Sequence, residues 1–331
     1  MSEENDLLFF TGFEGCRNSD DLHGLFIDMG GGFSWRPFIR ESSGFLGSKC
    51  MAGDSTYNSW GVVGFKKTTR TLYAGTHINC RATSSTRFYA YKVSGDSDVS
   101  FYLVEQQRLK ISILDESFYL DVPVVTGIYF HLESYIDMDS GVFRVKINGI
   151  EVLHETDFVF GGDSYFYGIL LQWWWFDNVW AHKSKSLGQV IALLSQPDQD
   201  GYYNDNFHTH DEGSGEIYPY LETNDGDDSY IYSSVPDAKF TCNFEDIPEG
   251  FTPLAFAVQK VFKHTTGGGL LYVQDFARLK GEDYSGEYIA PPDVYKHSHL
   301  FRTNYSGVFN GFELNRENIN SGEFGIKLIE L

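Results

Sequence analysis

The alternation of hydrophobic and polar positions predicts a chain made of β-strands. From Trp60 to Val122, apolar residues recur at every second position in short runs that end at Gly, Ser, Asp or Asn. Evenly spaced strands separated by turn residues are typical of a β-sandwich or a barrel. Strands are predicted at Trp60–Lys66, Thr71–Asn79, Arg87–Val93, Val99–Glu105, Arg108–Leu114 and Ser117–Val122.

The region from Ile128 to Leu153 predicts a three-stranded meander. The residues Asn148-Gly149 separate two apolar runs, and this dipeptide favours the tight turn between antiparallel strands. The next apolar segment, Ile169–Trp180, carries four of the six tryptophans and is apolar on both alternating faces. It is therefore predicted to be one strand, covered on both sides, that closes the first domain.

A polar segment after the tryptophans divides the chain. Residues 184–188 are short, polar and without periodicity, which predicts a hinge between a domain at 1–183 and a domain at 189–331. In the second domain, Pro253–Lys263 and Leu270–Leu279 are predicted to pair as a hairpin across a glycine-rich connection. The expected fold class is all-β: a jelly-roll sandwich followed by a smaller C-terminal β-sandwich.

The first domain resembles the concanavalin A-like, laminin-G-like jelly rolls. The resemblance is carried by the run YFHLESYID, then GVFRVKINGIEVL, then GILL and FDNVWA, within about Leu7–His182. Members of this group have a strand that ends in Asn-Gly or Asp-Gly, followed by a closing strand with an Asp-flanked aromatic motif. The resemblance implies a sandwich of two antiparallel sheets, in a group that includes lectins and glycanases.

The order of the two domains resembles a module of tailed-phage virion proteins. Its segments in the second domain are Leu187-Gly188, Pro197, Asp200-Gly201, Asp227-Asp228-Ser229-Tyr230-Ile231, Phe256–Val261 and Phe324–Lys327. The chain lacks the tryptophan after the Asp-Gly segment, where Phe207 is a substitute, and the Pro-x-Thr-Gly before Phe312. This resemblance implies a structural or adhesive virion component, such as a head decoration, fibre or tail-fibre protein.

Charge and composition limit the classes of partner that the chain is expected to bind. The formal net charge of −21 argues against nucleic acid, which needs a basic face, and against an anionic membrane surface. The remaining interpretations of the negative charge are a soluble surface, a basic protein partner or a cationic ligand. The acidic start MSEEND favours assembly in the host cytoplasm and a location in the virion. The spacing of the four cysteines is not typical of a disulfide framework or of a zinc site.

Exposed aromatic residues are the candidates for ligand binding. Tyrosine and tryptophan stack on sugars, and they are equally enriched in protein interfaces. The predicted carbohydrate- or partner-binding residues are Trp174, Tyr202, Tyr203, Tyr218 and Tyr220.

Two patterns are candidates for metal binding. His208 and His210 are two positions apart, so on a strand both imidazoles would face the same side and reach one ion. The acidic turn with Asp225, Asp227 and Asp228 offers the oxygen ligands that Ca²⁺ prefers. Solvated turn residues are the alternative for both patterns, and no other cofactor is expected.

The sequence predicts a protein without enzymatic activity. A glycosidase needs two carboxylates that flank the scissile bond, and the glycanases of this fold place them in a short acidic motif that is absent here. The expected partners are other virion proteins and cell-surface glycans, in a homo-oligomer for which a trimer is favoured. The alternatives are a carbohydrate-active hydrolase or lyase, a free calcium-dependent lectin, and a bacterial surface adhesin.

Overall fold

The structure is a computed structural model of the full chain. It describes residues 6–13, 16, 26–30, 38–40, 42–53, 59–80, 86–104, 108–122, 124–193, 195–213, 215–222, 228–253, 256–262, 271–290, 299–304 and 315–330. The chain divides into two compact units, Asn5–Leu193 and Leu194–Leu331, which are called the first and the second unit below. Residues 184–193 belong to the first unit in this division, and the hinge at residues 184–188 stays a prediction.

The first unit is a sandwich of two antiparallel sheets. Its strands are β1 (Leu7–Thr11), β2 (Phe26–Gly30), β3 (Phe38–Arg40), β4 (Cys50–Ala52), β5 (Trp60–Thr69), β6 (Thr71–Asn79), β7 (Thr86–Ser94), β8 (Val99–Val104), β9 (Arg108–Ile113), β10 (Glu116–Leu120), β11 (Tyr129–Asp137), β12 (Val142–Ile147), β13 (Ile150–Glu155), β14 (Tyr165–Gln172) and β15 (Trp175–His182). One sheet has the order β13-β12-β11-β6-β15-β4-β3, with β1 also paired to β15, and the other has the order β10-β9-β8-β7-β14-β5-β2. The predicted strands between Trp60 and Val122 correspond to β5–β10, and the predicted meander corresponds to β11–β13.

The core of this unit lies between the two sheets and is rich in aromatic rings. Tyr91 on β7 hydrogen-bonds to Ser134 on β11, so these two strands face each other across the sandwich. The Tyr89 ring stacks near Phe176 of the opposite sheet, with the ring centroids 6.3 Å apart. The prediction of an all-β chain that begins with a jelly-roll sandwich is confirmed by these sheets.

The tryptophan-rich segment differs from the single strand that the sequence predicts. It forms β14 in the seven-stranded sheet and β15 in the eight-stranded sheet, joined by a tight connection at Trp173 and Trp174. Trp173 has a positive φ of 70°, which turns the chain out of the extended conformation. Both faces of β14 are covered, since Leu170 packs with Val62, Ala90 and Trp60 while its neighbours Ile169 and Leu171 are buried on the other face.

The second unit is built on a five-stranded sheet of order β16-β19-β24-β21-β22. A pair formed by β20 and β23 contributes a second layer, since Val258 of β20 packs against Ala277, Leu279 and Phe324 of the sheet. The predicted hairpin of β20 with β21 is wrong, because β20 pairs with β23 while β21 pairs with β22 and β24. The bounds are β16 (Pro197–Asn204), β17 (His208–Thr209), β18 (Ile231–Tyr232), β19 (Lys239–Phe244), β20 (Ala257–Phe262), β21 (Tyr272–Leu279), β22 (Glu282–Ile289), β23 (His299–Asn304) and β24 (Glu323–Ile329).

Helical structure is limited to short pieces in the described part of the chain. The helix α1 (Arg316–Asn320) begins at Asn315, whose side chain accepts a hydrogen bond from the backbone N–H of Asn318. Two 3₁₀ turns lie at Phe45–Gly47 and Tyr218–Leu221. No helix within the described ranges has the length and apolar character needed to cross a membrane.

Candidate functional site

The short strands β17 and β18 of the second unit present one buried and one exposed face. Side chains alternate along a strand, and Phe207 and Thr209 point inward with exposures of 7% and 3%. His208 lies between them and His210 follows them, and both are exposed; Tyr232 of β18 pairs opposite His208, and Tyr230 directly precedes β18. We call the set His208, His210, Tyr220, Tyr230 and Tyr232 the histidine–tyrosine surface.

The rings of the histidine–tyrosine surface hold one another in place. The imidazole of His208 lies 5.7 Å from the ring of Tyr232, and that of His210 lies 5.3 Å from Tyr230 and 5.6 Å from Tyr220. The tyrosines stay accessible, since Tyr230 is 39% and Tyr232 is 43% exposed. The surface is therefore ordered and aromatic while it remains open to solvent.

A carboxylate is fixed at the edge of this surface. Asp211 accepts hydrogen bonds from the hydroxyl of Tyr220 at 2.9 Å and from the N–H of Gly213 at 3.1 Å. Hydrogen bonds from Thr209, Tyr220 and Gly213 lower the pKa of Asp211 below its usual value. The same Tyr220–Asp211 bond raises the pKa of Tyr220, so this pair is a neutral phenol donating to a carboxylate.

A cavity of about 500 Å³ adjoins the surface. Its apolar lining comes from Phe207, Ile217 and Tyr232, and Glu212 is the single carboxylate among the described residues that line it. Its lining is more polar than apolar, so it is an open polar depression and not the mostly apolar pocket typical of small-molecule sites. The described residues that line it are Asn204, Phe207, His208, Thr209, Glu212, Gly213, Gly215, Ile217 and Tyr232.

A second patch lies on the outer face of the five-stranded sheet. We call Tyr202, Tyr203, Lys239, Arg278 and Asp283 the cation–tyrosine patch. The guanidinium of Arg278 lies 4.1 Å from the Tyr202 ring centroid, and the ammonium of Lys239 lies 4.4 Å from that of Tyr203. The carboxylate of Asp283 accepts from Tyr203 at 2.6 Å, from Lys239 at 3.1 Å and from Arg278 at 2.8 Å.

Hydrogen bonds and ion pairs to Asp283 stabilise the cation–tyrosine patch. Partial burial acts to raise the pKa of Asp283, but the bonds from Tyr203, Lys239 and Arg278 outweigh it and lower the pKa. The hydrogen bond to Asp283 raises the pKa of Tyr203. Tyr202 is 69% exposed, which leaves most of this side chain accessible to a partner.

The structure sorts the predicted ligand-binding residues into two groups. Tyr202 and Tyr203 belong to the cation–tyrosine patch, and Tyr218 and Tyr220 lie in the 3₁₀ turn beside His210. Trp174 corrects the prediction, because its side chain is fully buried and stacks on Phe88 with centroids 3.9 Å apart. A ring in that position cannot contact a sugar or a partner protein.

The predicted metal ligands do not assemble in the described part of the chain. No group of three or more His, Cys, Asp or Glu side chains there is placed to hold an ion. His208 and His210 do face the same side, but each ring packs on a different tyrosine. Asp225 and Asp227 lie outside the described residues, and Asp228 is exposed, so calcium binding by this turn stays a prediction.

The first unit contains a polar cluster that sequence reasoning missed. On the outer face of its eight-stranded sheet, His77 and His131 pair across β6 and β11 with ring centroids 5.0 Å apart, and both are 2% exposed. The Phe45 ring stacks on His77 at 3.9 Å. Asp177 accepts hydrogen bonds from the Phe45 N–H at 2.8 Å and from the Ser48 hydroxyl at 2.6 Å, which fixes this loop over the sheet.

The protonation of this cluster follows from its burial and its bonds. Burial, with the nearby His131, lowers the pKa of His77 to about 3, whereas burial raises the pKa of Asp177 to about 6. The amide oxygen of Asn178 accepts from the N–H of Ala192 at 2.7 Å, so its NH₂ group faces Nδ1 of His77 at 3.3 Å. His77 is therefore neutral with its proton on Nε2, and the cluster serves to hold the loop.

Sequence signals for these residues exist but are weak. In β11 the polar His131 and Glu133 alternate with Phe130 and Leu132, which marks an outer sheet face. Nothing in the sequence indicates that a loop buries that face. For the histidine–tyrosine surface, the signal was the high local frequency of tyrosine, and Tyr230 and Tyr232 were missed as individual residues.

Comparisons with known proteins do not assign a family. No family model matches the chain, and no curated protein matches it. Solved structures that resemble it include the endo-β-1,4-glucuronan lyase of the fungus Trichoderma reesei, with 10% identity, a TM-score of 0.40, and coverage of 53% of this chain and 95% of that one. A protein of unknown function with a galectin-like fold from Bacillus subtilis has 9% identity, a TM-score of 0.35, and coverage of 55% and 98%.

A sialidase shows a similar degree of likeness. It has 7% identity and a TM-score of 0.44, and the match spans 55% of this chain but only 19% of the sialidase. Because all three TM-scores lie below 0.5, they do not bear on function. The fold class rests on the paired sheets themselves, and function must be argued from the surfaces of this chain.

Proposed function

We propose that the chain is a non-enzymatic structural and adhesive protein of a tailed-phage virion. In this proposal it is a head decoration, fibre or tail-fibre component that binds neighbouring virion proteins and, as a second class of ligand, host-surface glycans. The virion role is supported by the order of sequence segments in the two domains. The binding role is supported by one structural observation, the open histidine–tyrosine surface beside a cavity in the second unit.

The chemistry of this surface suits binding without turnover. Tyrosine rings give a large contact area at a low cost in conformational entropy, and they serve both protein and sugar partners. The proposal is accordingly recognition of a partner or a sugar without bond cleavage.

The proposal includes assembly of the chain into a homo-oligomer. A homo-oligomer, with a trimer favoured, would present several identical surfaces, and multivalency would then raise a weak single-site affinity. The net charge of −21 keeps many copies from aggregating and disfavours nucleic acid as a partner. The proposed place of assembly is the host cytoplasm, and the proposed final location is the virion.

Two measurements test this function. Mass spectrometry of purified particles from the source should find the chain in stoichiometric amounts, and its absence from particles would refute the virion role. Binding of the wild-type protein and of Tyr232→Ala to a glycan array tests adhesion. The matched control is Tyr288→Ala, because Tyr288 is 51% exposed and lies outside the histidine–tyrosine surface. Cleavage of a polysaccharide panel would instead support the carbohydrate-active enzyme, and a loss of sugar binding in EDTA would support the calcium-dependent lectin.

A further inference from the structure

The surroundings of the histidine–tyrosine surface are acidic without internal cations. From Ser186 to Ala238 the chain contains no Lys or Arg. The same stretch contains the carboxylates of Asp198, Asp200, Asp205, Asp211, Glu212, Glu216, Glu222, Asp225, Asp227, Asp228 and Asp237. Partial burial raises the pKa of Tyr218, and the negative charges of Glu216, Glu222, Asp198 and Asp200 raise it further. The local electrostatic potential is therefore negative at an aromatic surface.

The second unit contains a tyrosine–aspartate pair that binds a lysine and an arginine side chain. In the cation–tyrosine patch, the Tyr203 hydroxyl donates to Asp283, and this pair holds Lys239 and Arg278 against the ring and the carboxylate. Cations over aromatic rings and beside carboxylates gain from both contacts at once. This arrangement is an intramolecular example of Lys and Arg recognition by tyrosine and aspartate.

The Tyr220–Asp211 pair repeats that chemistry without a Lys or Arg partner from the described part of the chain. Its hydroxyl–carboxylate bond is 2.9 Å, against 2.6 Å in the Tyr203–Asp283 pair. The bonds that lower the pKa of Asp211 come from Thr209, Tyr220 and Gly213, all of them uncharged donors. No Lys or Arg of the described residues lies within ion-pair distance of Asp211.

We infer that the histidine–tyrosine surface docks a basic segment of a partner protein, whose Lys or Arg side chains lie over Tyr230 and Tyr232 and pair with Asp211. This inference rests on the proposed function and names its partner class. Acidic sugars are disfavoured by the surrounding carboxylates. Charge complementarity selects a cationic protein segment over a neutral one, and it would also speed the encounter at low salt.

The test uses a hexa-arginine peptide and its hexa-citrulline counterpart, which keeps the shape but removes the charge. Isothermal titration with the full chain should detect hexa-arginine binding that weakens as NaCl rises from about 50 to 500 mM. Asp211→Asn and Tyr232→Ala should each weaken it about two- to fivefold, the size of one exposed ion pair or cation–aromatic contact. The matched controls are Asp246→Asn, an exposed carboxylate of the same unit, and Tyr288→Ala.

Several results would overturn the inference. Equal weakening by Asp211→Asn and Asp246→Asn would show that the peptide follows only the net charge. Equal binding of hexa-citrulline, or binding of neutral glycans without hexa-arginine, would exclude a cationic partner and leave the adhesive role intact. Self-association of the chain that Asp211→Asn abolishes would identify the occupant as a second copy. Detection of the chain in particles tests the virion role separately from all of these outcomes.

Discussion

Replacement of Trp174 tests whether this residue supports the core or binds a ligand. Its indole is fully buried, lies parallel to Phe88 with an interplanar angle of 2°, and its Nε1 has no hydrogen-bond partner. Removal of a large buried aromatic costs about 3–5 kcal/mol through lost burial and the remaining cavity. Trp174→Ala should therefore lower the unfolding free energy of the first unit by that amount.

Trp174→Phe gives the sharper comparison. The smaller ring loses some contact area, which destabilises the fold. The replacement also removes the buried indole N–H, which has no hydrogen-bond partner among the described residues and by itself destabilises the folded state by about 1–3 kcal/mol. The two effects oppose each other, so we expect a net change within about 1.5 kcal/mol.

The assay is urea unfolding followed by tryptophan fluorescence. All six tryptophans, the last of them Trp180, precede the second unit, so the signal reports the first unit. With a slope of about 1–3 kcal/mol per molar urea, Trp174→Ala should lower the midpoint by about 1–5 M. Tyr119→Ala, at 59% exposure, is the control and should shift it little. An unchanged midpoint with Trp174→Ala, together with lost glycan binding, would refute the structural role.

Three further predictions concern buried groups. As pH falls below 6.5, the unfolded chain protonates His77 while the folded imidazole, with a pKa of about 3, stays neutral, so this group lowers the stability of the first unit. Asp177, with a folded pKa of about 6, raises stability as pH falls from 6 to 3.8, so the two contributions nearly cancel in that range. His77→Gln leaves the contribution of Asp177 alone, so its urea midpoint should rise relative to that of the wild type between pH 6 and 4; identical pH profiles of the two proteins would contradict this cause. Gly325→Ala should destabilise the second unit by about 1–3 kcal/mol, since its Cβ would clash with the backbone oxygen of Phe240 in β19; amide exchange in β19 and β24 should accelerate, and unchanged protection would be inconsistent with this close approach. Lys260→Met should cost about 3–5 kcal/mol because it breaks the ion pair that Lys260 forms with the buried Asp275, whereas adding Asp275→Leu should restore most of the loss; a double variant as unstable as the single one in thermal unfolding would argue against this.

The strands were predictable because their signals are local. A period of two residues, bounded by turn formers, located β5–β13 to within a few positions, and Asn148-Gly149 marked the turn between β12 and β13 by its preference for positive φ. The histidine–tyrosine surface was predictable only in part. His208, His210, Tyr218 and Tyr220 were identified by residue type, but not the ring contacts that bring three of them together with Tyr230 and Tyr232.

Non-local pairing decided the rest. The hydrophobic pattern of Ile169–Trp180 fits one strand buried on both faces as well as two strands in opposite sheets, and only the turn at Trp173 distinguishes them. Likewise, β20 and β21 follow one another in sequence, yet each finds a different partner in the fold.

The all-β class, the acidic charge and the residue types available for binding follow from the sequence, because they depend on composition and on side-chain alternation within single strands. That Trp174 is internal, that His77 lies beneath a loop, and that the Tyr220–Asp211 pair repeats the Tyr203–Asp283 pair without a described cation beside it became visible in the folded chain. The physical reason is that burial, hydrogen bonding and charge pairing join residues far apart in the chain, and alternation along one strand carries no information about them.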